Sequence, residues 1–361
     1  MTAAITATHI APTQIAATPA GQKRIVFLDY LRIFAFASVF AGHKFAAPVQ
    51  EMAQQAGLAG ALARALWPFI EGGGAGVVVF FLVSGYVISE VLQREGAAPF
   101  LLRRVFRIYP LYITAALGEW LLVNPPATGG QRLAQWLLAG DFTGAPYALA
   151  GVEWTLRLEM LFYAWMTLLR LANLTRPARG ALWLGACALL ALALHVAGPV
   201  AAHTPWARGY VSLYMPFLFV GCAVWLLERR AMGWPLALAF TAAVWGLYRL
   251  GLHAWQPQWL QARFVPCALG LFMAAWLMRR LLPAWPWVLA LSELTYAVYL
   301  THNWLFDALR QPLRQAGWSA AAATAAALAA LGGICWLLTR LVERPGVRLG
   351  RWLAARLPGR A

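Results

Sequence analysis

Arg32 and His43 stand eleven positions apart in one strongly apolar stretch, 25–47. On an α-helix eleven steps of 100° make about three turns plus ~20°, with a rise of roughly 16 Å, so a guanidinium and an imidazole share one face. Asp29 lies on the same stretch. Ionisable groups are costly inside a bilayer unless they line a polar path, so this stripe points to chemistry or transport. When neighbouring apolar stretches are laid antiparallel, Glu153, Glu159 and His302 fall at a depth similar to that of His43. A histidine beside a carboxylate suits general-base work. The carboxylate fixes the tautomer and stabilises the imidazolium formed when a hydroxyl proton is taken. The competing reading of each residue is a buried polar group satisfied by its neighbours.

A second cluster is Arg103, Arg104 and Arg107, followed by Ile108, Tyr109, Pro110 and Leu111. Arg104 and Arg107 are three apart and share a helix face. Forked guanidinium groups suit phosphates, so the cluster could hold a cytoplasmic nucleotide-like donor, with Arg32 joining from its own helix. Ordinary enrichment of basic residues in cytoplasmic loops competes with this reading. The run Phe80 to Tyr86 contains Ser84 and Gly85 and follows Gly72, Gly73, Gly74 and Gly76. These glycines lack the context of a phosphate loop and Ser84 lacks a nucleophile-elbow frame. Ser84 and Gly85 are expected to allow close helix packing, with Tyr86 offering a hydroxyl to a tunnel wall.

The elements that would position these residues are membrane helices. The chain of 361 residues is 61% hydrophobic and 12% charged, whereas about a quarter of residues are charged in soluble domains. The expected fold is an all-α polytopic bundle of about ten transmembrane helices. The spans are placed near 25–47, 74–93, 105–123, 152–171, 180–200, 210–228, 234–254, 262–282, 285–310 and 318–342. The stretch 131–140 is too short to cross and is expected to lie in the interface or insert partway. With this threading, nineteen of the 29 Lys and Arg fall on one side, seven on the other and three within spans. That asymmetry puts both termini in the cytoplasm.

The net charge of +16 is then accounted for by basic loops beside an anionic leaflet, and no nucleic-acid partner is expected. Tryptophans such as Trp67, Trp120 and Trp285 fall near span ends and read as interfacial anchors. Cys187, Cys222, Cys267 and Cys335 lie in apolar runs without metal-ligand spacing, so they read as small core residues and no metal is expected. Residues 1–22 lack a signal-peptide pattern and read as a disordered tail. The membrane domain is placed at 23–345, and 346–361 as a basic cytoplasmic tail.

Six motifs in order resemble the integral-membrane acyltransferases called acyltransferase family 3. They are Leu28-Asp29-Tyr30-Leu31-Arg32 leading to His43; Phe80 through Ser84-Gly85-Tyr86; Arg103-Arg104-Val105-Phe106-Arg107-Ile108-Tyr109-Pro110; Trp154-Thr155-Leu156-Arg157-Leu158-Glu159 with Phe162-Tyr163; Thr295-Tyr296 through Tyr299-Leu300-Thr301-His302; and Glu343-Arg344-Pro345. The resemblance spans about residues 25 to 345, with 175–280 matching in hydropathy only. It implies an inner-membrane enzyme that transfers an acyl group, commonly acetyl, from cytoplasmic acyl-CoA to a hydroxyl of a sugar or glycan at the outer side. His43 matches the family's essential histidine, Arg32 its partner arginine, and Arg104 and Arg107 the arginine pair associated with the donor. Glu159 is then expected to orient His43 or stabilise its charge, and an acyl-histidine intermediate is a variant of the same scheme. After His302 the chain reads Asn303-Trp304, where many members place Trp before the histidine and Pro shortly after it. No hydrolase-like domain is expected after the last span, since eighteen residues follow Glu343. Loops 44–73 and 124–151 are expected to shape the acceptor site, with Trp67, Tyr147 and Trp154 as stacking surfaces. A transporter or flippase that uses Asp29, Arg32, Glu159 and His43 as a polar pathway is the alternative.

Overall fold

The computed structural model describes residues 24–200 and 208–357. Regular structure among them is helical: α1 (Val26–Lys44), α2 (Ala46–Ala53), α3 (Gly57–Ile70), α4 (Gly74–Val91), α5 (Ala97–Leu122), α6 (Gly129–Trp136), α7 (Gly140–Thr143), α8 (Trp154–Leu171), α9 (Gly180–Val196), α10 (Tyr210–Glu228), α11 (Trp234–Trp255), α12 (Phe264–Leu277), α13 (Pro286–Thr301), α14 (Trp304–Gln315), α15 (Ala320–Leu338) and α16 (Arg344–Ala354). Among the described residues six stretches are long and apolar enough to cross a membrane: Val26–Lys44, Gly57–Val91, Pro177–Val196, Tyr210–Glu228, Trp234–Trp255 and Ala320–Ala354. The other expected spans fall on α5 and α8, which carry several charges, on the shorter α12, and on the pair α13 and α14. The expected tail 1–22 lies outside the described residues.

The stretch expected to cross as one helix at 285–310 is divided. Helix α13 ends at Thr301, and α14 restarts at Trp304. The interruption at His302–Asn303 frees the Asn303 carbonyl, which accepts from Lys44 Nζ at 2.7 Å, and Lys44 also pairs with Asp307 at 2.6 Å. Helix α14 buries Trp304, Leu305 and Phe306 and turns its polar residues outward.

Helix α10 runs through the centre and buries every residue from Tyr210 to Leu227. Its close approach to α4 depends on two glycines. A Cβ on Gly85 would stand 1.9 Å from the Leu218 carbonyl, and one on Gly221 would stand 2.2 Å from that of Leu82. The packing role expected of Gly85 is therefore real. At the chain's far end a π-helical turn, Thr339–Glu343, leads into α16, where Gly346 and Gly350 lie against Pro110 and Phe106 of α5. The segment read as a basic tail thus begins as a packed helix.

Charged helix ends gather at one pole of the bundle. Glu90 takes Arg94 and Arg229, Glu95 takes Arg103, Glu293 takes Arg24 and Arg344, and Glu343 takes Arg107. All these arginines belong to the set threaded to one side from the sequence.

Near the other pole the 124–151 segment folds inward. A capping box of Thr128 and Gln131 starts α6. Tyr112 donates to the Gln135 carbonyl at 2.6 Å, and Gln135 Nε2 donates to that of Pro146 at 2.7 Å. The segment is locked by Arg157, 2% exposed, which pairs with Glu153 and Asp141 and donates to the Leu138 carbonyl. Removing the cation breaks both buried salt bridges and leaves the charges of Glu153 and Asp141 without their cation, a loss of about 3–5 kcal/mol. We therefore expect Arg157→Met to lower the thermal unfolding midpoint in detergent sharply and to cut membrane levels. An unchanged midpoint would contradict this account of the lock.

Candidate active site

Helix α1 carries Arg32 near one end and His43 near the other. Its position is fixed by close backbone contact with the turn between α3 and α4. Ser38 Oγ donates to the Phe69 carbonyl at 2.5 Å and accepts from the Gly76 amide at 2.9 Å. A Cβ on Gly42 would lie 2.3 Å from the Gly73 nitrogen, so the residue before His43 must be glycine for this approach. Gly72 and Gly73 adopt left-handed φ of 58° and 69°, a conformation that L side chains resist.

His43 is exposed, whereas His302 is 1% exposed. His43 Nδ1 lies 3.0 Å from His302 Nε2, with the rings stacked at 5.1 Å between centroids. His302 Nδ1 lies 2.7 Å from the Tyr299 carbonyl. A carbonyl only accepts, so His302 Nδ1 carries hydrogen. In the neutral ring its Nε2 is then a lone pair, and His43 Nδ1 is the donor to it. His43 Nε2 is left as the free basic nitrogen.

His43 lines a cavity of about 260 Å³ with Glu71, Trp154, Tyr214, Trp259 and Tyr299. Its wall includes an unusual turn, Leu149-Ala150-Gly151, with φ of 55°, 50° and 89°. Glu119 holds this turn by accepting the Leu149 and Ala150 amides at 2.6 and 2.7 Å. Asn303 Nδ2 donates to the Ala150 carbonyl at 2.7 Å. Tyr299 stacks on Phe80 at 6.0 Å and meets Thr155 Oγ1 at 2.5 Å.

At the opposite end of α1, Arg32 and Arg104 stand close enough to Arg107 for their charges to repel, and Glu159 attracts all three. Arg107 pairs with Glu343 and lies 5.3 Å over the Tyr296 ring. Arg104 Nε is buried without a hydrogen-bond partner among the described residues. Arg32 bonds Asp29 at 3.3 Å, and Asp29 also accepts from Arg24 and Ser292.

The structure thus brings His43 together with His302 and Tyr299, and Arg32 together with Arg104, Arg107 and Glu159. It places other expected residues elsewhere. Glu159 bonds Ser84 at 3.0 Å and Tyr163, so the hydrogen-bond partner of His43 is His302 instead. Glu153 is committed to Arg157 and Tyr112. Tyr86 spends its hydroxyl on Glu228 at 2.7 Å rather than on a tunnel wall. Arg103 pairs with Glu95, and Tyr109 donates to the Leu137 carbonyl. Sequence reasoning passed over Glu71, Glu119 and Trp259. An acid beside a glycine run and an acid inside an apolar helix were the available signals for the first two.

Helices of this length and apolarity around two polar sites define a multi-pass membrane protein. The chain belongs to the family described as "Acyltransferase domain", which matches residues 25–340, and it is an acyltransferase. Among its relatives, Acyltransferase MdmB of Streptomyces mycarofaciens is 28% identical over 90% of this chain and 92% of its own length. Nodulation protein 10 of Rhizobium leguminosarum bv. viciae is 26% identical over 78% of this chain and 84% of its own. No solved structure matches the chain significantly. Of the residues expected to form a transporter pathway, Asp29 is paired with Arg24 and Arg32.

Deleting the Glu119 carboxylate would orphan two amides in a left-handed turn, at roughly 1–3 kcal/mol for each unsatisfied group. Glu119→Ala is expected to lower the unfolding midpoint and to reduce acyl transfer. Unchanged kinetics and stability would show that the turn does not depend on this residue.

Proposed function

We propose that the protein moves an acyl group, in the first instance acetyl, from cytoplasmic acyl-CoA to a hydroxyl acceptor such as a sugar or glycan at the outer side of the inner (plasma) membrane. The carrying observation is the His43–His302 pair on the wall of the cavity, with Nε2 of His43 left basic. In this scheme His43 Nε2 takes the acceptor hydroxyl proton as the oxygen attacks the thioester carbonyl. The carbon–sulfur bond breaks and the imidazolium returns the proton to the departing thiolate. His302 accepts from His43 Nδ1 and so stabilises the imidazolium, the part that a carboxylate plays elsewhere.

Arg32, Arg104 and Arg107 hold the donor phosphates, and Arg104 Nε, without a hydrogen-bond partner among the described residues, supports this reading. Glu159, held by Ser84 and Tyr163, offsets the mutual repulsion of these arginines. The roughly 16 Å of helix between Arg32 and His43 suits an extended pantetheine arm. Ten crossings with cytoplasmic termini fit this arrangement, because the arginine-rich pole is the one that basic-residue bias assigns to the cytoplasm. The likeness to Acyltransferase MdmB supports the transferase reading, while the donor and acceptor rest on the site chemistry.

The test uses purified protein in proteoliposomes with radiolabelled acetyl-CoA and a cell-envelope glycan extract. His43→Ala should reduce transfer by about 10²–10⁴-fold. His302→Phe should lower kcat by about 10²-fold or more while sparing the donor KM. Arg104→Ala should raise the donor KM by about tenfold or more. Near-native transfer by His43→Ala would overturn the proposal, and label retained on the enzyme without acceptor would replace direct transfer with the acyl-histidine route.

A further inference from the structure

The cavity beside His43 has an unusual chemical balance. Glu71 supplies a carboxylate, and no lysine or arginine lines the space among the described residues. Aromatic rings crowd it: Trp154 stands 5.2 Å from Tyr210 and 5.4 Å from Tyr214, and Trp259 stands 5.9 Å from Phe264, measured between centroids. Glu71 and Trp259 are held as neighbours by the glycine turn. A Cβ on Gly72 would lie 2.7 Å from the Trp259 ring, so the indole can rest there only because residue 72 is glycine.

The hydrogen-bond donors that a neutral polyol would need are largely committed. Gln256 Nε2 donates to the Arg208 carbonyl at 2.5 Å and Asn303 Nδ2 to the Ala150 carbonyl. The Tyr210 hydroxyl is held by Asp141 and Arg157, and that of Tyr299 by Thr155. Glu71 accepts from Trp67 and from the Arg263 backbone and has no ion pair among the described residues, so aromatic faces and a carboxylate form a site for a cation, since ring faces attract ammonium groups within about 6 Å.

We infer that the acceptor carries a protonated amine near the hydroxyl that is acylated, as in an amino sugar or amino alcohol, with Glu71 pairing the ammonium and the aromatic rings enclosing its alkyl groups. This rests on reading the cavity as the acceptor site. Glu71 is then a specificity residue, and His43 remains the base.

Two probes test it: methyl 2-deoxy-2-(dimethylamino)-glucoside, whose tertiary amine cannot be stably acylated, and neutral methyl glucoside. Binding to the full-length protein in nanodiscs is measured by calorimetry, and His43-dependent transfer from acetyl-CoA is measured in parallel. The amine probe should bind about tenfold tighter or more, and Glu71→Gln should bring the two affinities to within about twofold. Equal binding of both probes by the wild type, or no binding of the amine, overturns the inference while leaving His43-dependent transfer intact. Transfer that persists in His43→Ala would instead overturn the acceptor-site reading itself. The wild-type ratio decides the matter even if Glu71→Gln fails to fold.

Discussion

Two imidazole nitrogens 3.0 Å apart can hold one proton between them, and the Tyr299 carbonyl decides which ring supplies it. Because that carbonyl accepts from His302 Nδ1, the chain of donors runs from His43 to His302 to the backbone. Everything near this end of the bundle keeps that chain in register. The interruption between α13 and α14 falls at His302–Asn303, so one ring, one amide and one carbonyl at the break serve His43, Ala150 and Lys44 respectively. A histidine in the middle of an uninterrupted helix would not free the Asn303 carbonyl in this way.

The second requirement is backbone proximity. Helix α1 meets the turn between α3 and α4 through Gly42 and Gly73, and α4 meets the central α10 through Gly85 and Gly221. Side chains at these points would push the helices apart by more than a hydrogen bond tolerates. Small residues therefore set where His43 sits relative to the cavity, while the buried ion cluster of Arg157 and the Glu119-bound turn set the opposite wall. In the proposed scheme donor and acceptor handling are divided between the ends of a single helix, with Asp29 anchoring Arg32 at one end and His302 anchoring His43 at the other.

Much of this was legible in the sequence. Apolar runs gave the helical membrane class, and the eleven-residue spacing put Arg32 and His43 on one helix. Similar depth in the first and ninth spans brought His302 toward His43, and the expected gathering of Arg32 with Arg104 and Arg107 appears in their mutual charges. Hydropathy could not say which of two residues at similar depth would face the imidazole, because it carries no information on rotation about a neighbouring helix axis. Glu159, expected to orient His43, gives its hydrogen bonds to Ser84 and Tyr163. The Tyr86 hydroxyl reaches Glu228 on a helix far along the chain, a pairing that hydropathy likewise does not encode. The left-handed turn at Gly72 and Gly73 was visible as a glycine run but had no assigned purpose until its contact with α1 was seen.

The central claim is that His302 fixes the proton on His43 Nδ1 and leaves Nε2 basic. Nitrogen-15 solid-state NMR of histidine-labelled protein in lipid measures this directly, with His43→Ala and His302→Phe used to identify the two rings. The account predicts a neutral His43 ring protonated at Nδ1 with an unprotonated Nε2, and loss of that single tautomer in His302→Phe. A His43 ring protonated at Nε2, or one indifferent to His302, would contradict it.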